Sequence, residues 1–533
     1  FVDEQIYREL PAFLLATVDK FAMLPFRGAA GALFGRVERR SGRGFWGPMD
    51  VGGGGSPAGA SIELPDGLWP PELIVQDELH LISGPLGTMA GLYETAVEAL
   101  STRLREDGTA VRPKILASTA TVRRAREQIR ALFGRQRTAV FPPPGVDDAE
   151  TWFAEIDHEG RKRPGRLYVG VAAPGRAIKA ILLRAHVVLL AAAKRQYDPA
   201  VPASDAYMTL VGYYNSLREL GGMRRLIEDE VLERTEKAED RRPADAAGPH
   251  PWFRRRTLQQ EPVELTSRET IDRVKKAKDR LAKAYSDPEH VDVLLASSMI
   301  SVGVDIDRLG LMLIVGQPKA TSEYIQASSR VGRTHPGLVV TCFNLHKPRD
   351  RSHYERFPAY HQSFYRSVEA SSLTPFSGPA LDRGLAGTLL AMSRLGNPAM
   401  TPPRGAMRIT SERAEVQENV RRLAERAAGQ PGIPDAERAA VAAAVTTRGE
   451  ALVDAWWRLA EDAPAGGFFR TYSPYERGGG GAGSAKPLLY TVLDSDRPAA
   501  GTDDALFAAP TSMRDVEPVT HLWVERGRLG RKS

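Results

Sequence analysis

Short apolar runs that each end in a cluster of acidic or small hydroxyl residues recur along this chain, and they constrain its fold more than any other feature. Leu73-Ile74-Val75-Gln76 leads into Asp77-Glu78-Leu79-His80, and Lys114–Ala117 leads into Ser118-Thr119-Ala120-Thr121. Runs of this size, bounded by polar residues and alternating with helix-like stretches, are the pattern of strands in a parallel α/β sheet. Tyr207–Tyr214, Val291–Ala296, Leu311–Val315 and Leu338–Phe343 repeat it further on. The sequence therefore predicts a second α/β unit after the first.

Other architectures are excluded quickly. The most apolar stretch, Ile178–Ala193, is broken by Lys179, Arg184 and His186. It falls short of the roughly 20 apolar residues a membrane-spanning helix needs and reads as a buried helix. Cys342 is the only cysteine, which leaves no disulfide framework and no cysteine-based zinc or iron–sulfur site within this sequence, and points to the cytoplasm. The opening residues carry no secretory signal pattern. A net charge of +6, with arginine clusters at Arg123–Arg126, Arg161–Arg166 and Arg254–Arg256, permits a polyanionic partner without requiring one.

At 533 residues three or four units are expected, at about 100–200 residues each. The first lobe is expected over 1–141, with Phe13–Val18 as a strand and the glycine-rich stretch 27–60 as a long flexible insertion. Residues 142–202, proline-punctuated at both ends, are expected to bridge the lobes. The second lobe follows over 203–347, interrupted by a charged insertion at about 228–269. Helical patches at Ser411–Ala428 and Asp435–Glu461 mark an accessory region over 348–533, mainly helical and mixed, without internal repeats.

Side chains at the carboxyl ends of parallel strands face the ligand crevice of open α/β sheets. Asp77 there suits Mg²⁺ held through water, and Glu78 suits the orientation or deprotonation of a water attacking a γ-phosphate. Taken alone, the same residues read equally as an acidic helix N-terminus complementing the dipole. Ser118, Thr119 and Thr121 suit hydrogen bonding to neighbouring acids, or a helix cap. In the second lobe, Ser297 to Ile306 leaves a strand and ends in Gly303-Val304-Asp305, either a nucleotide-facing Asp or a tight turn. Gln326 to Arg333 places Arg330 and Arg333 three residues apart, on one face if helical. A guanidinium meeting a γ-phosphate stabilises the transition state roughly a thousandfold or more; a solvated basic helix is the alternative. The arginines Arg123, Arg124 and Arg126 suit a nucleic-acid backbone or an exposed helix face, and Tyr213, Tyr214, Tyr324 and Phe343 read as core aromatics.

The order DELH, Ser-Thr-Ala-Thr, Gly-x-Asp and Gln-x-x-x-Arg-x-x-Arg resembles superfamily-2 DExH helicases. The resemblance implies two RecA-like lobes with parallel sheets, the first incomplete, and ATP with Mg²⁺ as cofactors. It implies Asp77 and Glu78 as metal-linked and catalytic acids, His80 as the residue coupling ATP to nucleic acid, and Arg330 and Arg333 as the arginine pair. It assigns Gln326, Gly303, Asp305, Ser118, Thr119 and Thr121 to ATP binding and coupling, and Thr17, Asp19, Asn215, Ser216 and Ser297 to nucleic acid. Ala327 and Ser329 stand where many relatives have Arg and Gly. No G-x-x-x-x-G-K-[ST] loop occurs in the sequence, although that loop would cradle the phosphates; it is expected in a segment preceding Thr17, encoded separately or absent from this sequence.

A narrower resemblance rests on Ala16–Ala22, Gln76–Glu94, Ser297–Met312, Gln326–Arg333 and Ala509–Pro518. These phrases are similar to the helicase subunit of DISARM anti-phage systems, the DrmA type. That implies bacterial defence, DNA binding in a channel, and a partner with a DUF1998 domain, the DrmB type. Two other readings stay open from sequence: a DNA-binding scaffold that has lost hydrolysis, and an RNA-directed DExH ATPase.

Overall fold

The computed structural model describes residues 3–50, 61–119, 124–141, 143, 153, 165–241, 250–259, 261–266, 268–301, 305–369, 373–473, 484–491, 498–499 and 501–513. They fall into two units, one of Phe1–Phe141 with Ala370–Ser533 and one of Pro142–Glu369.

The second unit is built on a six-stranded sheet whose strands run, edge to edge, Val263–Leu265, Val293–Ala296, Leu210–Tyr214, Leu311–Val315, Gly337–Cys342 and Arg166–Val171. Every neighbouring pair is parallel, and the central register sets Leu210 opposite Leu311 and Tyr214 opposite Val315. Successive side chains alternate between faces. Leu210, Leu295, Leu311, Leu313 and Cys342 pack on one side with Leu182, Val187 and Leu190 of the helix Ile178–Gln196. Val211, Leu294, Met312, Ile314 and Val339 pack on the other with Ala277, Leu281, Tyr324 and Val331. Both faces are covered, so the central strands read as unbroken apolar runs.

Two expectations are corrected in this unit. The strand Arg166–Val171 and the helix after it lie in the segment expected to bridge the lobes, yet they form an edge of this sheet and one of its layers. The strand Val263–Leu265 lies inside the expected charged insertion. Its Glu264 reads as insertion, but the carboxylate accepts from Arg268 Nε and Nη2 at 2.5 and 2.7 Å and from the Thr266 hydroxyl at 2.7 Å. A charge so satisfied is compatible with a sheet edge.

In the first unit Leu73–Gln76 and Lys114–Ala117 pair in parallel, Gln76 opposite Ala117. The helix Gly84–Ser101 lies between them in the chain and packs against Gly378–Gly396, which in turn packs with Ile409–Ala428 and Asp435–Ala465. Leu92, Ala96 and Leu100 share one core with Leu385, Leu389, Val420, Leu423 and Trp456. The region expected to stand apart from 348 onward is thus divided. From Ala370 it completes the first unit, because Gly378–Gly396 packs on the helix that follows DELH and the two later helices join the same core.

Two further expectations fail here. Residues 11–17 form no strand; Phe13 and Leu15 are 78% and 87% exposed, and a 3-10 helix over Val18–Phe26 follows. A strand needs a neighbour for its backbone hydrogen bonds, and among the described residues this segment pairs with none. The stretch 27–50 is not a flexible insertion. Ala30 and Phe34 of the 3-10 helix Gly28–Phe34 are buried in the core, and Arg39–Ser41, Gly44–Trp46 and Ser61–Glu63 form an antiparallel sheet; residues 51–60 lie outside the described residues. No described helix is long and apolar enough to cross a membrane.

Candidate active site

In the first unit the parallel pairing brings the ends of two strands side by side, and with them the two polar motifs. Ser118 N bonds to Gln76 O at 2.9 Å and Leu79 N to Ser118 O at 2.9 Å. The Ser118 hydroxyl donates to Asp77 Oδ1, which also accepts from Glu78 N at 2.9 Å. The Ser118 hydroxyl first, and the Glu78 amide second, hold the Asp77 carboxyl below the usual carboxylate range. Hydrogen bonds to the charged form have that effect. His80 is 9% exposed, with Nδ1 3.2 Å from Thr119 Oγ1 and 3.4 Å from Glu78 Oε2. One motif is thus tied to the other twice, through Asp77–Ser118 and His80–Thr119.

Glu78 has φ 50° and ψ 49°, in the left-handed region. Non-glycine residues adopt it at a cost of about 1–2 kcal/mol, and such strain concentrates at functional sites. No local pattern points to the neighbour that steadies this turn: buried Gln128, whose Nε2 donates to Leu79 O at 3.2 Å and Ile82 O at 3.1 Å. Among the described residues no group of three or more His, Cys, Asp or Glu is placed to hold a metal ion. A single ionised, exposed carboxylate such as Asp77 fits Mg²⁺, which keeps waters and phosphate oxygens among its ligands.

In the second unit the helix Thr321–Ser328 carries buried Gln326 near its end and stops before the arginines. Arg330 and Arg333 therefore do not share a helical face; they lie in the turn beyond it. Gly332 makes that turn, with φ +73°, and a Cβ there would sit 2.8 Å from Gly337 Cα. Its N–H donates to Leu309 O at 2.8 Å. Arg166, from the edge strand, donates to Val331 O at 2.6 Å and Ser329 O at 3.2 Å, gripping the backbone on both sides of Arg330. Sequence reasoning missed Arg166 because it sits in the segment expected to bridge the lobes. Arg333 forms an ion pair with exposed Asp305 and stands 3.9 Å from Asp307, so the Gly-x-Asp motif and the arginine motif meet.

The remaining candidates are placed as follows. Asn215 donates to Val315 O at 2.7 Å, and Ser216 caps the helix Leu217–Leu226 by accepting from Glu219 N at 3.2 Å. Ser297 directly follows the strand Val293–Ala296 and donates its backbone N–H to Leu265 O at 3.4 Å. Thr17 is exposed at the start of its 3-10 helix. Asp19 accepts from Ser512 Oγ at 2.8 Å and Met513 N at 3.1 Å, which joins two phrases far apart in sequence. Thr121 and Gly303 lie outside the described residues. Tyr213, Tyr214, Tyr324 and Phe343 are core side chains, each at most 1% exposed.

In the second unit, residues 263–335 match the family model described as Helicase conserved C-terminal domain. Over three quarters of its length the chain is similar to the DISARM protein DrmA of Bacillus paralicheniformis. The two are 45% identical over 404 residues, which is 75% of this chain and 35% of the relative. The chain thus spans about a third of the length of that relative. Among solved structures, the DUF1998 helicase MrfA bound to DNA and AMPPNP is similar at 16% identity and TM-score 0.41, over 70% of this chain and 40% of that one. The Mycobacterium smegmatis helicase Lhr bound to ssDNA and AMP-PNP is similar at 16% identity and TM-score 0.39, over 69% and 44%.

Proposed function

We propose that this chain is the greater part of an ATP-driven DNA helicase or translocase motor, of DExH type, acting in the cytoplasm in anti-phage defence. The observation that carries the reading is the double tie of DELH to the Ser-Thr-Ala-Thr motif at the carboxyl ends of two parallel strands. Asp77, kept ionised, would hold Mg²⁺ through water, and the bound ion would supply charge neutralisation at the phosphates. Glu78 takes a proton from the attacking water as its oxygen bonds the γ-phosphorus and the bond to the β-phosphate oxygen breaks, releasing ADP. Arg330 and Arg333 neutralise the charge that develops on the γ-phosphoryl oxygens. For Arg333 this means exchanging Asp305 for phosphate. Gln326 contacts the nucleotide beside them, and His80 with Thr119 reports its state to the DNA-binding surfaces.

The phosphate loop is supplied by polypeptide beyond this sequence. The support is an uncovered sheet face: Leu73, Val75 and Leu116 are 51%, 57% and 48% exposed, whereas parallel sheets are ordinarily covered on both faces. DNA is held through its backbone, single-stranded in the channel, so affinity falls steeply with salt. A DUF1998-domain protein of the DrmB type is the proposed partner, on the similarity to DrmA.

Glu78→Gln in the full-length protein tests the chemistry. ATP binding stays within about threefold of wild type while turnover drops at least about a hundredfold, the scale of general-base loss. Undiminished hydrolysis removes Glu78 from this role.

A further inference from the structure

The segment after the last strand of the second unit, Pro348–Glu369, makes a dense set of bonds to one short stretch of chain, Gly316–Tyr324. Asp350 is 4% exposed and accepts from Gln317 N at 3.2 Å and Asn344 N at 2.9 Å. Its carboxylate occupies the space a side chain at Gly316, φ +68°, would need. Arg349 donates to three successive carbonyls, Gln317 at 3.4 Å, Pro318 at 2.6 Å and Lys319 at 2.7 Å. Glu369 then closes the set. Its two oxygens accept from Thr321 N at 2.8 Å and Thr321 Oγ1 at 3.0 Å.

Thr321 opens the helix that carries Gln326 and leads into the Arg330–Arg333 turn. The helix has no cap from its own N-terminal neighbour, Ala320, and an uncapped first turn leaves amides unsatisfied. Glu369, 48 positions later in sequence, supplies the acceptor and the negative charge that the helix dipole favours. We propose that Glu369, supported by Arg349 and Asp350, is a positioning residue for the arginine turn, one that sets turnover and not ATP affinity. The inference rests on the hydrolytic reading given above. None of these three side chains is assigned to the phosphates; they fix the start of the helix as Arg166 fixes its far end. A misplacement of about 1 Å at such a distance can cost about a hundredfold in rate, and loss of one anchor among several costs less.

The test is steady-state ATP hydrolysis by the full-length protein with saturating single-stranded DNA, for wild type, Glu369→Ala, Glu369→Gln and Arg333→Ala. Glu369 is exposed, so Glu369→Ala keeps a melting temperature near wild type. Its kcat falls about tenfold and its KM for ATP stays within about twofold. Glu369→Gln recovers most of kcat, because the carboxamide oxygen still accepts from Thr321 N and its nitrogen donates to Thr321 Oγ1. A kcat for Glu369→Ala equal to wild type, a change confined to KM, or no recovery in Glu369→Gln overturns the inference while Arg333→Ala still loses turnover. Absence of hydrolysis in wild type overturns the hydrolytic reading, and this positioning role with it.

Discussion

Ser118 and Asp77 lie 41 positions apart, and the bond between them is what converts two weak motifs into one site. Each was legible because it follows an apolar run, so each had to emerge at the carboxyl end of a strand. That the strands are neighbours was not legible, since four-residue runs say nothing about pairing order. Ser118→Ala removes the principal cause of the lowered Asp77 pKa, and the carboxyl moves back up toward its ordinary range. Asp77 stays ionised near neutral pH in either case, and an exposed hydrogen bond is worth about 0.5–1.5 kcal/mol, so kcat falls roughly two- to tenfold, with the fold intact by circular dichroism. Wild-type turnover in this variant would separate Ser118 from coupling. Asp19 illustrates what single residues conceal. Its bonds to Ser512 and Met513 span nearly the whole chain, and no local pattern announces them.

At the scale of elements, the three-residue spacing of Arg330 and Arg333 puts them on one face only if their stretch is helical, and the structure sets them in a turn, where Gly332 leaves right-handed geometry. Gly332→Ala combines a positive φ with a Cβ 2.8 Å from Gly337 Cα; a loss of about 2 kcal/mol is expected. Urea unfolding of the second unit checks it, and an unchanged midpoint would show that the turn relaxes. The helix Ile178–Gln196 was expected as a buried helix, and burial governs its titration. His186 is fully buried, and desolvation pulls its pKa down to about 4. The unfolded chain, with the ordinary value near 6.5, therefore binds a proton that the folded chain refuses between about pH 6.5 and 4. Stability is full above this window and falls as pH drops through it, by roughly 3 kcal/mol at its lower end. His186→Leu loses that decline. Urea midpoints at about pH 7.5 and 4.5 measure it, and an equal decline in both proteins would place the acid sensitivity elsewhere.

For the molecule as a whole, the strands legible in the second unit were those buried on both faces. Leu210–Tyr214, Val293–Ala296, Leu311–Val315 and Gly337–Cys342 carry apolar runs because helices cover both sides of the sheet. The two edge strands escaped: Val263–Leu265 is interrupted by Glu264, and Arg166–Val171 leaves Leu167 63% exposed. The union of Phe1–Phe141 with Ala370–Ser533 was also invisible, because helix periodicity gives an apolar face without naming what covers it. The uncovered face of Leu73, Val75 and Leu116 fits a chain spanning about a third of its curated relative. The most direct test of the account is ATP hydrolysis by the full-length protein with and without single-stranded DNA, across a salt series. The account predicts stimulation of about tenfold or more by DNA, abolished in Glu78→Gln and progressively weaker as salt screens the backbone contacts. Hydrolysis that is indifferent to DNA, or that persists in Glu78→Gln, would contradict it.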